Sequence, residues 1–432
     1  MIGHHKTIIG ALALLLTASI FSGCVSKGWM EYAEAVHYYK AEQYESAAMH
    51  FTAAADLGYA RAQGALAYCY LFGKGVEKDE KEALKWFRSA AEQGFAKGQL
   101  GLGLCYANGF GVEKNAVEAE KWIRKAVDQG LAEAQYNLGI FYHTGTGGEE
   151  DIPEAVKWYR MAAENGFPLA QYNLAVCYRD GIGIEQDGAE AVKWYRKAAK
   201  KGLAEAQYNL AACYHDGTGV KQDDAEAVKW YRKAAEQGYA EAQADLGTFY
   251  GFGRGVKRDQ AEAVKWWKAA AEQGVARAQY NLGFCYANGE GVEKDLDKAI
   301  DLYRKSAEQG FAEAQVNLAV CYLNGEVVEQ DDAKAAEWFR KAAEQGNAGG
   351  QYNLAVCYFK GKGVEQDNAK AAEWSLKAAE QGLPEAQCGL GVCYHEGLGV
   401  EQDYAKAAEW FRKAAEQGFE PAKEALKGLD NN

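Results

Sequence analysis

The chain has little of what an enzyme, a membrane-spanning protein or a nucleic-acid binder needs. Only four Pro occur in 432 residues, which excludes Pro-rich linkers between domains. Basic residues are in deficit: 48 Lys and Arg against 61 Asp and Glu leave a net charge of −13. Such a balance gives no positive stripe for phosphate and argues against nucleic acid as a partner; it reads as solubility of a large surface. Apart from Ile8 to Ile20, no run is apolar enough to approach a bilayer span. Ser-x-x-Lys, Ser-Asp-Asn and Lys-Thr-Gly are missing, as is His-Glu-x-x-His, so serine and zinc hydrolase equipment is not visible. No cofactor motif appears either: Gly-x-Gly loops such as Gly217-Thr218-Gly219 lack the strand and the further glycines of a nucleotide site.

What the chain has is a period of 36 residues. Trp86, Trp122, Trp158, Trp194, Trp230, Trp266, Trp338, Trp374 and Trp410 share one register, interrupted only by Leu302. A Tyr keeps another register from Tyr70 to Tyr394, and a Gln a third from Gln63 to Gln387. A fixed period of this length means stacked units, each too small to bury its own apolar face. Within Leu131 to Gly166, Ala134, Leu138, Phe141 and Tyr142 recur at helical spacing. Gly145 ends that helix A, and Asp151 caps the next, helix B, which carries Ala155, Trp158, Tyr159 and Ala162 inward. The cap position is Asp in nine repeats and Asn115 in the tenth.

Segments such as Ala204-Glu205-Ala206-Gln207-Tyr208-Asn209-Leu210, with the stretch from Ala225 to Gly238, resemble the Sel1-like repeat, a relative of the tetratricopeptide repeat. The resemblance implies an all-α, right-handed α/α solenoid of ten 36-residue helix-turn-helix repeats over residues 59–418. A tetratricopeptide-like hairpin (29–58) and a C-terminal helix and tail (419–432) would cap it. The first 23 residues read as a leader. Phe21-Ser22-Gly23-Cys24 resembles a bacterial lipobox, which implies lipidation of Cys24 after cleavage, a tether over 24–28, and a place in the cell envelope, most simply the outer membrane facing the periplasm.

Helix B carries charges three residues apart that run acid-then-base in the first six repeats (Glu82/Lys85 to Glu262/Lys265) and base-then-acid in the last four (Lys298/Asp301 to Lys406/Glu409). Both orders predict a local ion pair. The Glu of the first group could also close a capping box with the cap residue, which predicts more fraying of helix B in the second group. Eight Cys from Cys69 to Cys393 share one slot of helix A with Phe141 and Phe249, which marks a core slot holding free thiols.

The A-helix face left over from the core includes the slots of Glu133, Tyr136, Ile140 and His143. Tyr136, Tyr172, Tyr208, Tyr280 and Tyr352 form a broken aromatic ladder, read either as packing between A helices or as a rail for a peptide or glycan. The His143 slot varies freely, through Arg179, His215, Gly251 and His395, as though structure did not dictate it. His143, His215 and His395 lie at least two repeats apart, on the order of 20 Å, and cannot share a metal. The resemblance and this face together imply a non-enzymatic scaffold or adaptor that binds envelope proteins or peptides. A peptidoglycan or polysaccharide binder is the second reading. A β-lactam hydrolase, suggested by cysteine-rich relatives, is the third.

Overall fold

The computed structural model describes residues 27–325 and 327–429; Cys24 and its leader lie outside them. The described residues form 23 helices and no strand. They fall into two compact units that divide between Gln222 and Asp223. In the first, the hairpin Lys27–Lys40 and Tyr44–Asp56 precedes four repeats and the A helix of the fifth, Ala204–Asp216. In the second, the fifth B helix, Asp224–Glu236, precedes five repeats and the terminal helix Glu420–Leu429.

One repeat shows how the sequence builds the element pair. Helix A of the second repeat, Ala96–Asn108, stops at Gly109, whose φ of 82° is open to Gly at no steric cost and whose N–H donates to the Cys105 carbonyl at 2.8 Å. Gly111 also has positive φ, and any Cβ there would collide with the Glu80 carbonyl of the preceding B helix. The Gly-x-Gly loop is therefore a docking turn. Helix B, Ala116–Asp128, starts at Asn115, whose side chain accepts from the Glu118 N–H at 3.0 Å. All ten cap residues, from Asp79 to Asp403, accept such a bond. The capping box does not close, because the backbone N–H of the cap already donates to helix A: Asp79 to the Tyr70 carbonyl at 2.9 Å, Asp403 to that of Tyr394 at 2.8 Å.

The core repeats like the sequence. Ten Leu from Leu66 to Leu390 are buried on helix A, opposite small residues of helix B. The large buried side chain of helix B is the one after the periodic Trp: Phe87, Ile123, Tyr159, Tyr195, Tyr231, Trp267, Tyr303, Phe339 and Phe411. Of the nine Trp on the register only Trp194 is buried; the others are half-buried. Eight of the nine carry a Lys ammonium over the ring, as Lys125 does over Trp122 at 3.7 Å. Where helix A has Gly, the facing large side chain fills the gap: a Cβ on Gly139 would lie 2.6 Å from Tyr159.

The periodic Gln and Tyr stitch repeats together. Each Gln is buried and most donate to a carbonyl eight residues earlier, as Gln63 does to Ala55 at 3.2 Å. Its Oε1 then accepts from the Gln thirty residues later, as Gln63 does from Gln93 at 2.7 Å. The Tyr is half-buried, and in six of the ten repeats its hydroxyl accepts from the Arg of the preceding B helix, as Tyr106 does from Arg88 at 3.2 Å and Tyr178 from Arg160 at 3.1 Å. These Tyr lie at the rim of the core, where one ring face packs and the hydroxyl is tied.

The charge pairs correct the sequence reading in one half. In the first group the pairs form as expected, for example Lys121–Glu118 and Lys193–Glu190, each at 2.7 Å. In the second group, Lys298 and Asp301 do not pair. Lys298 reaches back to its cap residue Asp295 at 2.8 Å, and Asp301 pairs forward with Lys305 at 2.7 Å. Lys334, Lys370 and Lys406 do the same with Asp331, Asp367 and Asp403. Helix side chains lean toward the N-terminus, so a Lys in the first turn meets the cap before it meets the next turn. The thiols are free among the described residues: Cys69, Cys105, Cys177, Cys213, Cys285, Cys357 and Cys393 are buried and Cys321 and Cys388 half-buried. Burial pushes Cys69 and Cys105 up to about 12.

Candidate protein-binding face

Helix A presents the face not consumed by the core. The A helices of the first two repeats touch directly, as do Ala312–Asn324 and Ala348–Lys360 in the second unit, so this side is the more tightly packed one. The tyrosine ladder sits deeper than an open rail. Tyr136 is 6% exposed, held between Tyr159 (5.9 Å) and Phe167 (5.2 Å). Tyr172 packs on Tyr195 at 5.8 Å and its hydroxyl accepts from Asn209 of the next repeat at 3.4 Å. Tyr280 lies between Tyr303 and Phe311. Tyr172, Tyr208, Tyr280 and Tyr352 are half-buried. Burial raises Tyr136 to about 12 and moves Tyr172, Tyr280 and Tyr352 the same way. The geometry makes the ladder a set of wedges between repeats that show one edge to solvent.

The variable slot is equally mixed. Arg179 is bidentate to Asp180, at 2.7 Å from each oxygen, and reaches Asn209 at 3.1 Å. His395 bonds Glu396 at 2.6 Å and meets the Tyr404 ring at 5.3 Å. His143 is half-buried near Tyr159, with its Nδ1 buried and unpartnered; His215 is half-buried. Structure does dictate one residue of the slot, contrary to the sequence reading. A Cβ on Gly251 would lie 2.7 Å from Trp267, the bulkiest residue at its B-helix position, so Gly251 is the room that Trp267 needs.

The open apolar row is the Ile140 slot. In the first unit it runs Leu104, Ile140, Val176, all half-buried. In the second it runs Phe284, Val320, Val356 and Val392, of which Phe284 is 41% and Val392 40% exposed. These seven side chains are apolar, yet the core does not enclose them; in the other three repeats the slot holds the buried Tyr68 and the half-buried Ala212 and Thr248. Beside the first row lies a cleft of about 540 Å³ spanning the first three A helices, with Leu71, Leu104, Phe110, Ile140 and Phe141 as apolar wall and Asn137, Thr144 and Thr146 as polar points. Nine A–B loops place Val or Ile where the third repeat has Gly148. Glu133 and Lys97 pair at 3.9 Å on the same helices, both largely buried; burial raises the Glu133 carboxyl and lowers the Lys97 ammonium. The sequence offered a signal for this row, since one helix A slot stays apolar or Thr while its neighbours turn polar. The Tyr register drew attention away from it.

Ten helix pairs on one register, with buried Leu and Gln slots and one apolar row left open, define an α/α solenoid of the tetratricopeptide-related class. Within that class the chain belongs to the Sel1 repeat family. The family's model matches ten consecutive segments: residues 60–95, 96–131, 132–167, 168–203, 204–239, 240–275, 276–311, 312–347, 348–383 and 384–419. Among solved structures the chain is similar to a protective antigen present in uropathogenic Escherichia coli strains, which displays an SLR fold. The identity is 38% and the TM-score 0.65, covering 89% of this chain and 90% of that one. It is also similar to a Sel1 repeat protein from Oxalobacter formigenes, at 35% identity and TM-score 0.56, covering 72% of this chain and 90% of that one. No curated protein matches the sequence. Sel1 repeat proteins generally serve as scaffolds for protein–protein interaction, on a fold that is typically non-catalytic.

Proposed function

We propose that this protein is a non-enzymatic adaptor of the bacterial cell envelope, anchored through a lipid on Cys24 and holding partner proteins or peptides on the A-helix face. The observation that carries the reading is the apolar row. Leu104, Ile140 and Val176, and separately Phe284, Val320, Val356 and Val392, repeat at 36-residue spacing without entering the core. A row of this kind supplies desolvation energy to a partner laid across successive repeats. The half-buried Tyr172, Tyr208, Tyr280 and Tyr352, with Arg179 and the His slots, border it and supply polar contacts. The likeness to a protective antigen suits an exported chain.

The test is in-cell cross-linking of the lipid-anchored protein, with partners identified by mass spectrometry. A stoichiometric protein partner should be captured by the wild type and lost from a Leu104→Asp, Ile140→Asp variant whose helicity is unchanged. A partner that ignores the substitutions would refute the row as the binding face. Recovery of wall fragments alone, with binding to purified sacculi, would favour the glycan reading. Cys24→Ser should release the chain from the membrane fraction; retention would refute the anchor.

A further inference from the structure

Away from the A-helix face, the N-terminal hairpin brings together three side chains of metal-ligand type. Glu31 and Glu34 stand one turn apart on the helix Lys27–Lys40, and His50 faces them from Tyr44–Asp56. Their ligand atoms all lie within 4.8 Å of one another, and no other group of three His, Cys, Asp or Glu among the described residues does so. His50 Nδ1 is 2.7 Å from Glu31 Oε2 and 3.4 Å from Glu34 Oε2. The imidazole is oriented as well: it stacks on Tyr38 with centroids 5.3 Å apart and planes 12° from parallel. The His50 side chain is 17% exposed, that of Glu31 25% and that of Glu34 62%, so two ligands are recessed and the third stands at the open side.

We propose that Glu31, Glu34 and His50 bind a first-row divalent cation of the Zn²⁺ type. One imidazole nitrogen and two carboxylates are a donor set for zinc and its neighbours; the imidazole disfavours calcium and magnesium, which take oxygen ligands. Bonds of about 2.0–2.2 Å in a tetrahedron set donors roughly 3.3 Å apart, so Glu31 needs to withdraw from His50 by less than about 1 Å, Glu34 already stands at that distance from His50, and the two carboxylates, within 4.8 Å of each other, close on the ion by side-chain rotation. Both are flexible side chains on a helix surface, and the stacked ring is the fixed member. The ion would replace the hydrogen bond between His50 and Glu31 and leave a fourth position to water. It would staple the two helices of the hairpin to each other.

The experiment uses the full chain and two ions, Zn²⁺ for calorimetry and Co²⁺ for its spectrum. One equivalent of Zn²⁺ should bind in the micromolar range, and Co²⁺ should give ligand-field bands without a thiolate charge-transfer band. At a hundredfold excess over Kd, amide exchange across Lys27–Asp56 should slow by about a hundredfold. His50→Ala, and separately Glu31→Gln with Glu34→Gln, should abolish binding and the slowing. The Gln pair keeps the shape of both side chains, and its metal-free exchange shows whether the hairpin is intact. Absence of binding, binding that survives both variants, or a thiolate band would each overturn the site.

Discussion

At the scale of single residues, a chain that repeats ten times supplies its own controls. Gln171 is the exception in the Gln series: its Oε1 is buried without a partner. The reason is Lys201, which stands where the other repeats have Gln or Asn and bonds the Gly166 carbonyl instead. Lys201→Gln should restore the missing amide bond and raise stability by about 0.5–1.5 kcal/mol, read by urea denaturation; no gain would mean that water already satisfies Gln171. Val327 is a second exception. It has φ of 67° where the other loops carry Gly, and a β-branched side chain there is strained. Val327→Gly should stabilise by about 1 kcal/mol, after the entropy Gly adds to the unfolded chain is subtracted from the relieved strain. Trp338 and Phe339 separate register from burial. Phe339 is fully buried and its truncation to Ala should cost about 3–5 kcal/mol, whereas Trp338→Ala should cost clearly less because that ring is half-exposed. Equal losses would show that the periodic Trp is a core residue after all.

At the scale of elements, helix B of the last four repeats is held differently from the first six. The sequence reading expected it to fray, through loss of a capping box and a reversed charge pair. The structure gives each of these helices two ion pairs, cap to Lys and acid to the Lys four residues on. The N–H that a capping box would use is bonded to helix A in both groups. The expectation of fraying therefore has no structural basis. The arrangement has a pH consequence instead. The Lys298 side chain holds the Asp295 carboxyl below its ordinary range, and helix N–H groups with the following Lys do so for Asp331, Asp367 and Asp403. A depressed carboxyl contributes stability that is present above its unfolded value, near 4, and is lost as pH falls through its lower folded value. Replacing these four Asp with Asn, which caps well at Asn115, should leave a protein that loses less stability between pH 7 and pH 2.5 than the wild type. Parallel thermal-midpoint curves would contradict this.

At the scale of the whole molecule, near-identical units make stability a sum over neighbours. A cavity at Phe339 should loosen the eighth and ninth repeats and leave amide protection in the first three unchanged; a uniform loss would mean global cooperativity. The same repetition makes function a matter of rows. A partner meets one slot at successive repeats, so the apolar row offers a surface where the variable slot offers only local differences. The metal site stands apart because it belongs to the hairpin, the one helix pair among the described residues that does not follow the 36-residue pattern.

The sequence by itself determined the repeat length, the helix pair, the caps, the free thiols and the family, because each rests on spacing along one chain or on contacts a few residues apart. Only the tertiary structure decided three other matters. It placed the buried large side chain one residue beyond the Trp, since the half-turn facing the core depends on how B meets A. It turned the tyrosine ladder into wedges and left the Ile140 slot open, since exposure depends on the neighbouring repeat. And it brought His50 to Glu31 and Glu34, since ligands nineteen residues apart meet only after two helices fold against each other.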